Sequence, residues 1–175
     1  GTDAKLTYVE PSEFVSAEGA RTTRLAYVGW PQKIARKLRI HCGVYQLLEE
    51  SRPDAILFHS LCGWELLTVA RYKRDHPDVL LYADSHEDAY NSARSFVSRE
   101  VLHKRYYRPI IRRAMKDIDK ILCVSIETMD FVHSVYGVPK DRLEFFPLGA
   151  KVIDHAERLA CRALARAALG LSEEH

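Results

Sequence analysis

A short titratable stretch follows an apolar run near the middle of the chain. The sequence over residues 80–94 is LLYADSHEDAYNSAR, and it places Asp84, His86, Glu87 and Asp88 within five positions. Charged side chains next to a buried strand are costly unless water, a partner or a ligand compensates them. Histidine beside carboxylates suits acid–base chemistry, hydrogen bonding at a ligand rim or metal binding, and an ordinary loop is the remaining alternative.

Two of these chemistries find little support elsewhere in the sequence. Asp84, His86 and Asp88 alternate, so they could share one side of an extended segment, but no H-E-x-x-H or similar pair supplies a further metal ligand. We therefore expect no bound metal and no tightly bound cofactor. The G-x-S-x-G motif of hydrolases and both standard glycine-rich nucleotide loops are absent as well. A metal-dependent hydrolase or deacetylase that uses Asp84, His86 and Asp88 stays open as an alternative function.

Three segments share the pattern of strands that are buried on both faces. Each begins with Asp, continues with apolar residues without alternation and ends in a polar residue. They are DAILFHS (54–60), DVLLYADS (78–85) and DKILCVS (119–125). Further strands are predicted at 23–28 and 143–146, and a weaker one at 5–9.

Helical patterns lie between these segments. Residues 32–51 predict one helix. Its apolar stripe consists of Ile34, Leu38, His41, Tyr45 and Leu48. A second helix is predicted around 64–71, and Ser125 is suited to cap a third that extends to about Tyr136, with Gly137 after it. Alternating strands and helices predict an α/β fold of the Rossmann-like, doubly wound type with a mostly parallel sheet.

This fold predicts where a ligand binds. In open parallel sheets, ligands lie beyond the carboxyl ends of the strands. The expected crevice is lined by Trp30, His59, Ser60, Ser85 and Ser125. Asp84 and His86 come at the end of a predicted strand, so we expect them to face the crevice. Glu87 and Asp88 are expected to be solvated loop residues that cap a short helix.

Residues 94–120 concentrate positive charge, with nine Lys or Arg against three acidic residues. Five of them share about a third of a helical wheel. They are Lys104, Arg105, Arg108, Arg112 and Lys116. The buried face is predicted to consist of Leu102, Tyr106, Ile110, Ala114 and Ile118, and Pro109 is expected to kink or break the helix. A solvated face and a surface for anionic lipid or a phosphorylated acceptor both fit this pattern. Nucleic acid does not, because no recognition module is present.

Composition sets the outer limits. A chain of 175 residues with 47% hydrophobic content is expected to form one domain around one core. Its four cysteines show no C-x-x-C spacing, so free thiols in a reducing compartment are expected rather than a disulfide framework or a zinc site. Neither a signal peptide nor an apolar run of about 18 residues is present.

Residues 119–150 resemble the N-terminal domain of the retaining GT-B glycosyltransferases of family 4. The matching features are Val124-Ser125, Glu127, the turn Tyr136 to Pro139, Lys140-Asp141 and Pro147-Leu148-Gly149-Ala150. The resemblance extends to the strand at 53–60, which ends in a histidine, and to 80–88, where the family often has a His-Asp or His-Glu pair. Residues 164–173 are similar to the spacer before the second domain. The family's glycine-rich first loop has no counterpart in residues 1–31.

The resemblance implies one half of a GT-B fold. Residues 1–153 would form the Rossmann-like N-terminal domain, and 154–175 a helix or spacer towards a C-terminal donor-binding domain that this chain lacks. His86 would contact a donor-sugar hydroxyl or accept the acceptor proton, and Asp84 would orient it. Gly149 would join the cleft residues named above.

The implied activity is transfer of a hexosyl group from a nucleotide-sugar to a sugar or lipid-linked acceptor, with retention of configuration. This chain would supply the acceptor-side wall and would be inactive alone. The implied setting is polysaccharide or glycolipid biosynthesis in the cytoplasm, with a peripheral position at the inner membrane face. A non-catalytic sugar- or lipid-binding module is a further alternative.

Overall fold

The computed structural model describes residues 9–29, 31–149 and 154–171. The first described element is an antiparallel hairpin of β1 (Ser12–Val15) and β2 (Arg21–Arg24), which is separate from the main sheet. The prediction of a strand at 23–28 in the main sheet is therefore wrong, both in its residues and in the strand with which it pairs. Its later part makes only an isolated bridge between Tyr27 and His41. The weak strand predicted at 5–9 falls almost entirely outside the described residues.

The main sheet is parallel and confirms the predicted fold class. Its strands are β3 (Ala55–Phe58), β4 (Leu80–Ser85), β5 (Lys120–Cys123) and β6 (Leu143–Phe145), in that spatial order. Parallel neighbours need crossover connections, and helices supply them between successive strands. The result is the predicted Rossmann-like α/β architecture, with a parallel sheet and helical crossovers.

Burial differs between the central and the outer strands. On β4 and β5, Leu81, Ala83 and Cys123 are fully buried, as their unbroken apolar pattern predicted. On β3 the prediction of two buried faces is wrong, since Leu57 is 59% exposed. Strand β3 lies at an edge of the described sheet, where only one neighbour covers it.

The single helix predicted over 32–51 is two helices, α1 (Gln32–Leu38) and α2 (Val44–Ser51). The chain leaves the helical conformation between Arg39 (φ 56°) and Gly43 (φ 78°). The intervening backbone bonds to an earlier segment: the N–H of Cys42 donates to the carbonyl of Ala26 at 2.8 Å. A tertiary backbone contact thus overrides a continuous helical stripe.

The next helices follow their predictions. Helix α3 (Glu65–Asp75) connects β3 to β4. After β5, Ser125 caps α5 (Ile126–Phe131) by accepting a hydrogen bond from the N–H of Thr128. Helix α5 continues into π-helical turns at Val132–Tyr136, and Gly137 ends them with φ 75°.

The basic segment is also helical, with π-type hydrogen bonds over Val97–Tyr107 that change to α-type in α4 (Arg108–Ala114). Pro109 lies in the first turn of α4, at this change, and the backbone at Tyr107 stays helical, so Pro109 does not break the helix. Ile110, Ala114 and Ile118 are buried as predicted.

A last helix, α6 (His155–Ala168), lies in the segment assigned to the spacer, and its residues are almost all exposed. The domain boundary at residue 153 stays a prediction. In the described parts of the chain, no helix combines the length and the apolar character needed to cross a bilayer.

Candidate functional site

Two carboxylates join the carboxyl ends of β3 and β4. Asp84, the penultimate residue of β4, accepts a hydrogen bond from the backbone N–H of Ser60 at 2.7 Å, and its Oδ2 lies 2.8 Å from Nδ1 of His59. Glu87 accepts hydrogen bonds from the hydroxyls of Ser60 at 2.5 Å and Ser85 at 2.6 Å. Residues that are about 25 positions apart in the sequence are therefore held together by side-chain hydrogen bonds.

His86 lies at the rim of this arrangement. Its Nε2 is 3.6 Å from Oδ2 of Asp84, and its ring packs edge-to-face against His59, with ring centroids 4.8 Å apart. The backbone of His86 is held by two hydrogen bonds. Its N–H donates to the carboxylate of Glu87 at 3.2 Å, and its carbonyl accepts from Nδ2 of Asn91 at 2.7 Å. The side chain of His86 is 33% exposed and that of His59 74% exposed, so both imidazoles are accessible to a ligand.

Ser60 holds this edge in an unusual conformation. Its φ of 72° lies in the left-handed region, which serine rarely adopts. In that conformation its N–H reaches Asp84 while its hydroxyl reaches Glu87. Backbone conformations of this kind cost free energy and cluster at functional sites. The backbone geometry therefore marks the same edge of the sheet as the residue types did.

The expectation that Glu87 is solvated is wrong. Only 8% of the residue is exposed, because the two serine hydroxyls and the N–H of His86 surround its carboxylate. Asp88 is half-buried and does cap a turn, since its Oδ1 accepts from the N–H groups of Tyr90 and Asn91, each at 2.7 Å. The serines that follow or end two successive predicted strands are the signal that could have predicted the burial of Glu87. This signal can be used only when it is known that the two strands pair.

The other predicted cleft residues have different surroundings. Ser85 is fully buried and supports Glu87, so it is not an exposed wall of the crevice. Ser125 is half-buried and its hydroxyl is used in capping α5. Gly149 is exposed, and no heavy atom lies within 4 Å of the place that a side chain would take. Trp30 lies outside the described residues.

A buried polar chain behind the site was not predicted from the sequence. The thiol of Cys62 lies 3.0 Å from the hydroxyl of Tyr136, which lies 2.7 Å from Nδ1 of His103. Nε2 of His103 lies 3.1 Å from the carbonyl of Ser92, which can only accept, so Nε2 carries the hydrogen and Nδ1 accepts from Tyr136. Burial raises the pKa of Cys62 and Tyr136 and lowers the pKa of His103. These three side chains are therefore uncharged near neutral pH.

A cleft of about 270 Å³ lies beside the rim, between the turn after His86 and α5. Its lining includes Asp88, Tyr90, Arg99, Glu127 and Asp130. Tyr90 is 80% exposed, which makes its ring available to a ligand. Hydrogen bonds from the backbone N–H and from the Ser125 hydroxyl lower the pKa of Glu127, so this carboxylate is ionised. An aromatic face next to hydrogen-bond acceptors is suited to a hydroxylated ring.

The structure divides the predicted basic face. Lys104 pairs with Glu100 at 2.7 Å, and Arg108 is half-buried, with its guanidinium next to Gly137. The remaining basic residues of the set, Arg105, Arg112 and Lys116, are exposed. Helices α3 and α4 end next to the first residues of β4 and β5. The C-terminal part of the basic surface therefore lies at the amino edge of the sheet, away from Asp84 and His86 at the carboxyl edge.

Comparison with known protein families agrees with the fold. The model of Glycosyltransferase Family 4 matches residues 6–152. This span includes every strand of the two sheets, the Asp84 cluster and the segment around 119–150 that carries the resemblance. None of the curated proteins compared with the chain matches it. On the strength of the family match and the parallel α/β sheet, the chain belongs to glycosyltransferase family 4, as an N-terminal domain of the GT-B type.

Proposed function

We propose that this domain forms the acceptor side of a glycosyltransferase active site. The complete enzyme moves a hexosyl group from a nucleotide-sugar to a sugar or lipid-linked acceptor, with retention of configuration. The observation that carries the proposal is the cluster of His59, Asp84 and His86 at the carboxyl edge of the sheet, next to an open cleft. Membership of the family favours transfer over the hydrolase and deacetylase alternatives.

In this proposal His86 works at the reacting hydroxyl. Its ring is accessible, and its Nε2 lies 3.6 Å from Oδ2 of Asp84. His86 then accepts the acceptor proton or hydrogen-bonds a hydroxyl of the donor sugar. Asp84 is kept in place by Ser60 and His59, and it orients His86 for this contact.

The cleft next to His86 is proposed to hold the acceptor sugar. The exposed ring of Tyr90 would stack on the sugar, and the carboxylates of Glu127 and Asp130 would accept hydrogen bonds from its hydroxyls. The cleft begins at Asp88, two residues beyond His86, and we assign the reacting hydroxyl to the end of the sugar nearest this residue. Both features favour a hydroxylated acceptor over a purely apolar one.

The phosphates of the donor require a different part of the enzyme. A leaving phosphate is stabilised by cations and oriented dipoles. Around the described cluster, carboxylates and neutral hydrogen-bonding groups predominate. We therefore assign the phosphates to a second GT-B domain, with the nucleotide-sugar as a substrate rather than a bound cofactor. On this basis residues 1–175 alone bind nucleotide-sugars weakly and transfer no sugar.

The exposed basic residues are the basis for proposing a location at a membrane surface. Arg105, Arg112 and Lys116 are available to an anionic membrane surface or a phosphorylated acceptor. A peripheral position at the cytoplasmic face of the inner membrane would bring a lipid-linked acceptor to the cleft. Polysaccharide or glycolipid synthesis fits this arrangement.

Sugar binding by the chain itself tests the acceptor cleft. NMR titration with mono- and disaccharides should show binding that Tyr90→Ala weakens by about tenfold, which corresponds to about 1.4 kcal/mol, since the variant removes the aromatic surface on which the sugar would pack. Phe14→Ala is the matched control, because Phe14 is also a partly exposed aromatic but lies on the separate hairpin. Equal binding by wild type and Tyr90→Ala would contradict the assignment of the cleft.

A further inference from the structure

We propose that His59, Asp84 and His86 together form a binding site for one divalent transition-metal ion of the zinc class. In the described part of the chain, this is the one group of His, Cys, Asp or Glu side chains arranged so that it could hold a metal ion. One ligand atom from each residue lies within 4.8 Å of the other two. The set differs from the one considered from the sequence, because Asp88 is turned away to cap its own turn and His59 takes part instead.

The spacing of the ligand atoms is close to what such an ion needs. Oδ2 of Asp84 lies between the imidazoles, 2.8 Å from Nδ1 of His59 and 3.6 Å from Nε2 of His86. Zinc binds nitrogen and oxygen at about 2.0–2.2 Å, so neighbouring ligand atoms of a tetrahedral site lie about 3.4 Å apart. The carboxylate–imidazole distances bracket that value. The ring of His59 is mostly exposed, so its rotation can bring the two imidazoles closer.

The ligands are oriented from behind, as the ligands of metal sites usually are. Oδ1 of Asp84 is held by the N–H of Ser60, while Oδ2 accepts a hydrogen bond from Nδ1 of His59. An ion that binds both of these atoms displaces that hydrogen, and His59 then carries its hydrogen on Nε2. The backbone of His86 is held between Glu87 and Asn91. Two imidazoles and one carboxylate make up the protein ligands of one type of catalytic zinc site, in which water or substrate takes the remaining position. The exposure of both imidazoles leaves that position open to solvent.

The chemistry of the ligands predicts selectivity. Imidazole nitrogen suits Zn²⁺, Co²⁺ and Ni²⁺, whereas Mg²⁺ and Ca²⁺ prefer sites built from oxygen alone. A site with two histidines should therefore discriminate strongly against Mg²⁺. Non-specific attraction of cations to nearby carboxylates would not discriminate in this way.

The proposed ion uses the same atoms that would meet the sugar hydroxyl. If the function proposed above is correct, on which this consequence alone depends, Zn²⁺ inhibits transfer by competing at His86 and Asp84. Binding of the ion to the chain is independent of that function. A failure of one result therefore leaves the other interpretable.

The test uses residues 1–175 with the exposed Cys42 and Cys161 changed to Ser, which removes accessible thiols as competing ligands. Calorimetry with Zn²⁺ alone and visible absorption with Co²⁺ alone are measured at about pH 7.5, where imidazole is mostly neutral. We expect one ion per chain, the intense visible bands of four-coordinate Co²⁺, and no competition from millimolar Mg²⁺.

The two imidazole ligands are then removed separately. His59→Ala should lower the affinity for Zn²⁺ at least about tenfold, as should His86→Ala, because each removes a metal–ligand bond. His59 is 74% exposed, so its variant should fold, and circular dichroism checks this. His155→Ala, at an exposed histidine on α6, is the control and should not change the affinity. Absence of stoichiometric binding, equal competition by Mg²⁺, or an affinity that His59→Ala and His86→Ala leave unchanged would overturn the proposal.

Discussion

The carboxyl edge of the sheet and the basic surface around α4 were both identified from runs of charged residues, but the fold treats them differently. At the carboxyl edge, Asp84 and Glu87 each receive hydrogen bonds from a neighbouring strand end. On the basic surface, Arg112 and Lys116 extend into solvent. The first region is fixed in advance and the second is adaptable. Fixed groups suit chemistry on a positioned hydroxyl, and solvent-exposed charges suit contact with a surface such as lipid headgroups.

The basic surface should show the largest effect if lipid binding is its role. Changing Arg105, Arg112 and Lys116 together to Gln removes exposed charges that each contribute about 1 kcal/mol near an anionic surface. We expect binding to liposomes with acidic lipid to weaken by roughly 10²-fold or more. Wild-type binding should itself weaken as salt rises to physiological levels, since exposed charges are screened. Liposome sedimentation measures both.

The matched control removes the same charge elsewhere, at the exposed residues Arg21, Arg158 and Arg162. It should change liposome binding much less, because these residues lie on the separate hairpin and on α6, outside the basic segment. Equal losses in both variants would show that only net charge matters. Binding to neutral liposomes that salt does not alter would remove the membrane role altogether and make the contrast with the carboxyl edge one of solvation only.

The hydrogen bonds at the carboxyl edge should contribute to the free energy of unfolding. Glu87→Ala leaves the hydroxyls of Ser60 and Ser85 without their acceptor, so we expect the free energy of unfolding to fall by about 2 kcal/mol. Asp88→Ala removes a turn cap from the adjacent position and should lower it by no more than about 1 kcal/mol. Urea denaturation measures the difference. An Asp88→Ala variant as unstable as Glu87→Ala would contradict the distinction between the two neighbours.

A smaller effect is expected behind the site, at His103. Burial lowers its pKa in the folded state below the ordinary value of 6.5, so below that pH the unfolded chain binds a proton that the folded chain does not. Above it both forms are neutral and His103 contributes no pH dependence. Between about pH 7.5 and 5.5 the wild type should therefore lose more stability than His103→Gln, by at most about 1.4 kcal/mol. Parallel slopes for the two proteins would show that His103 accepts a proton in the folded state.

The location of Asp84 and His86 at the carboxyl edge of the sheet could be predicted from the sequence, but the hydrogen-bond partners in this region could not. An apolar run that ends in Asp84 and His86 defines a strand end, and the parallel sheet places strand ends together. That Glu87 is buried depends on Ser60, which lies 27 residues away, just after the neighbouring strand β3. The same limit applies to His103 and Tyr136, which meet across 33 residues. Periodicity carries information on the face of one element and none on which elements pair.

The errors in the fold have the same origin. The stripe over 32–51 is compatible with one helix, and only the contact of the 40–42 backbone with the segment before α1 divides it at Arg39 and Gly43. Likewise the apolar character of β3 does not reveal that it lies at an edge of the described sheet. By contrast, the predictions that Ser125 caps a helix and that Gly137 follows its end are correct, because caps depend on local backbone geometry.

The central claim is that His86 acts on the reacting hydroxyl, and the most direct measurement is transfer by the complete enzyme that contains this domain. His86→Ala should lower kcat/KM by about 10²-fold or more, as loss of a general acid–base group does. Its Tm should stay within a few degrees of wild type, because a half-exposed ring at a strand end leaves no core cavity. His155→Ala serves as the control. A His86→Ala enzyme with normal turnover would contradict the account.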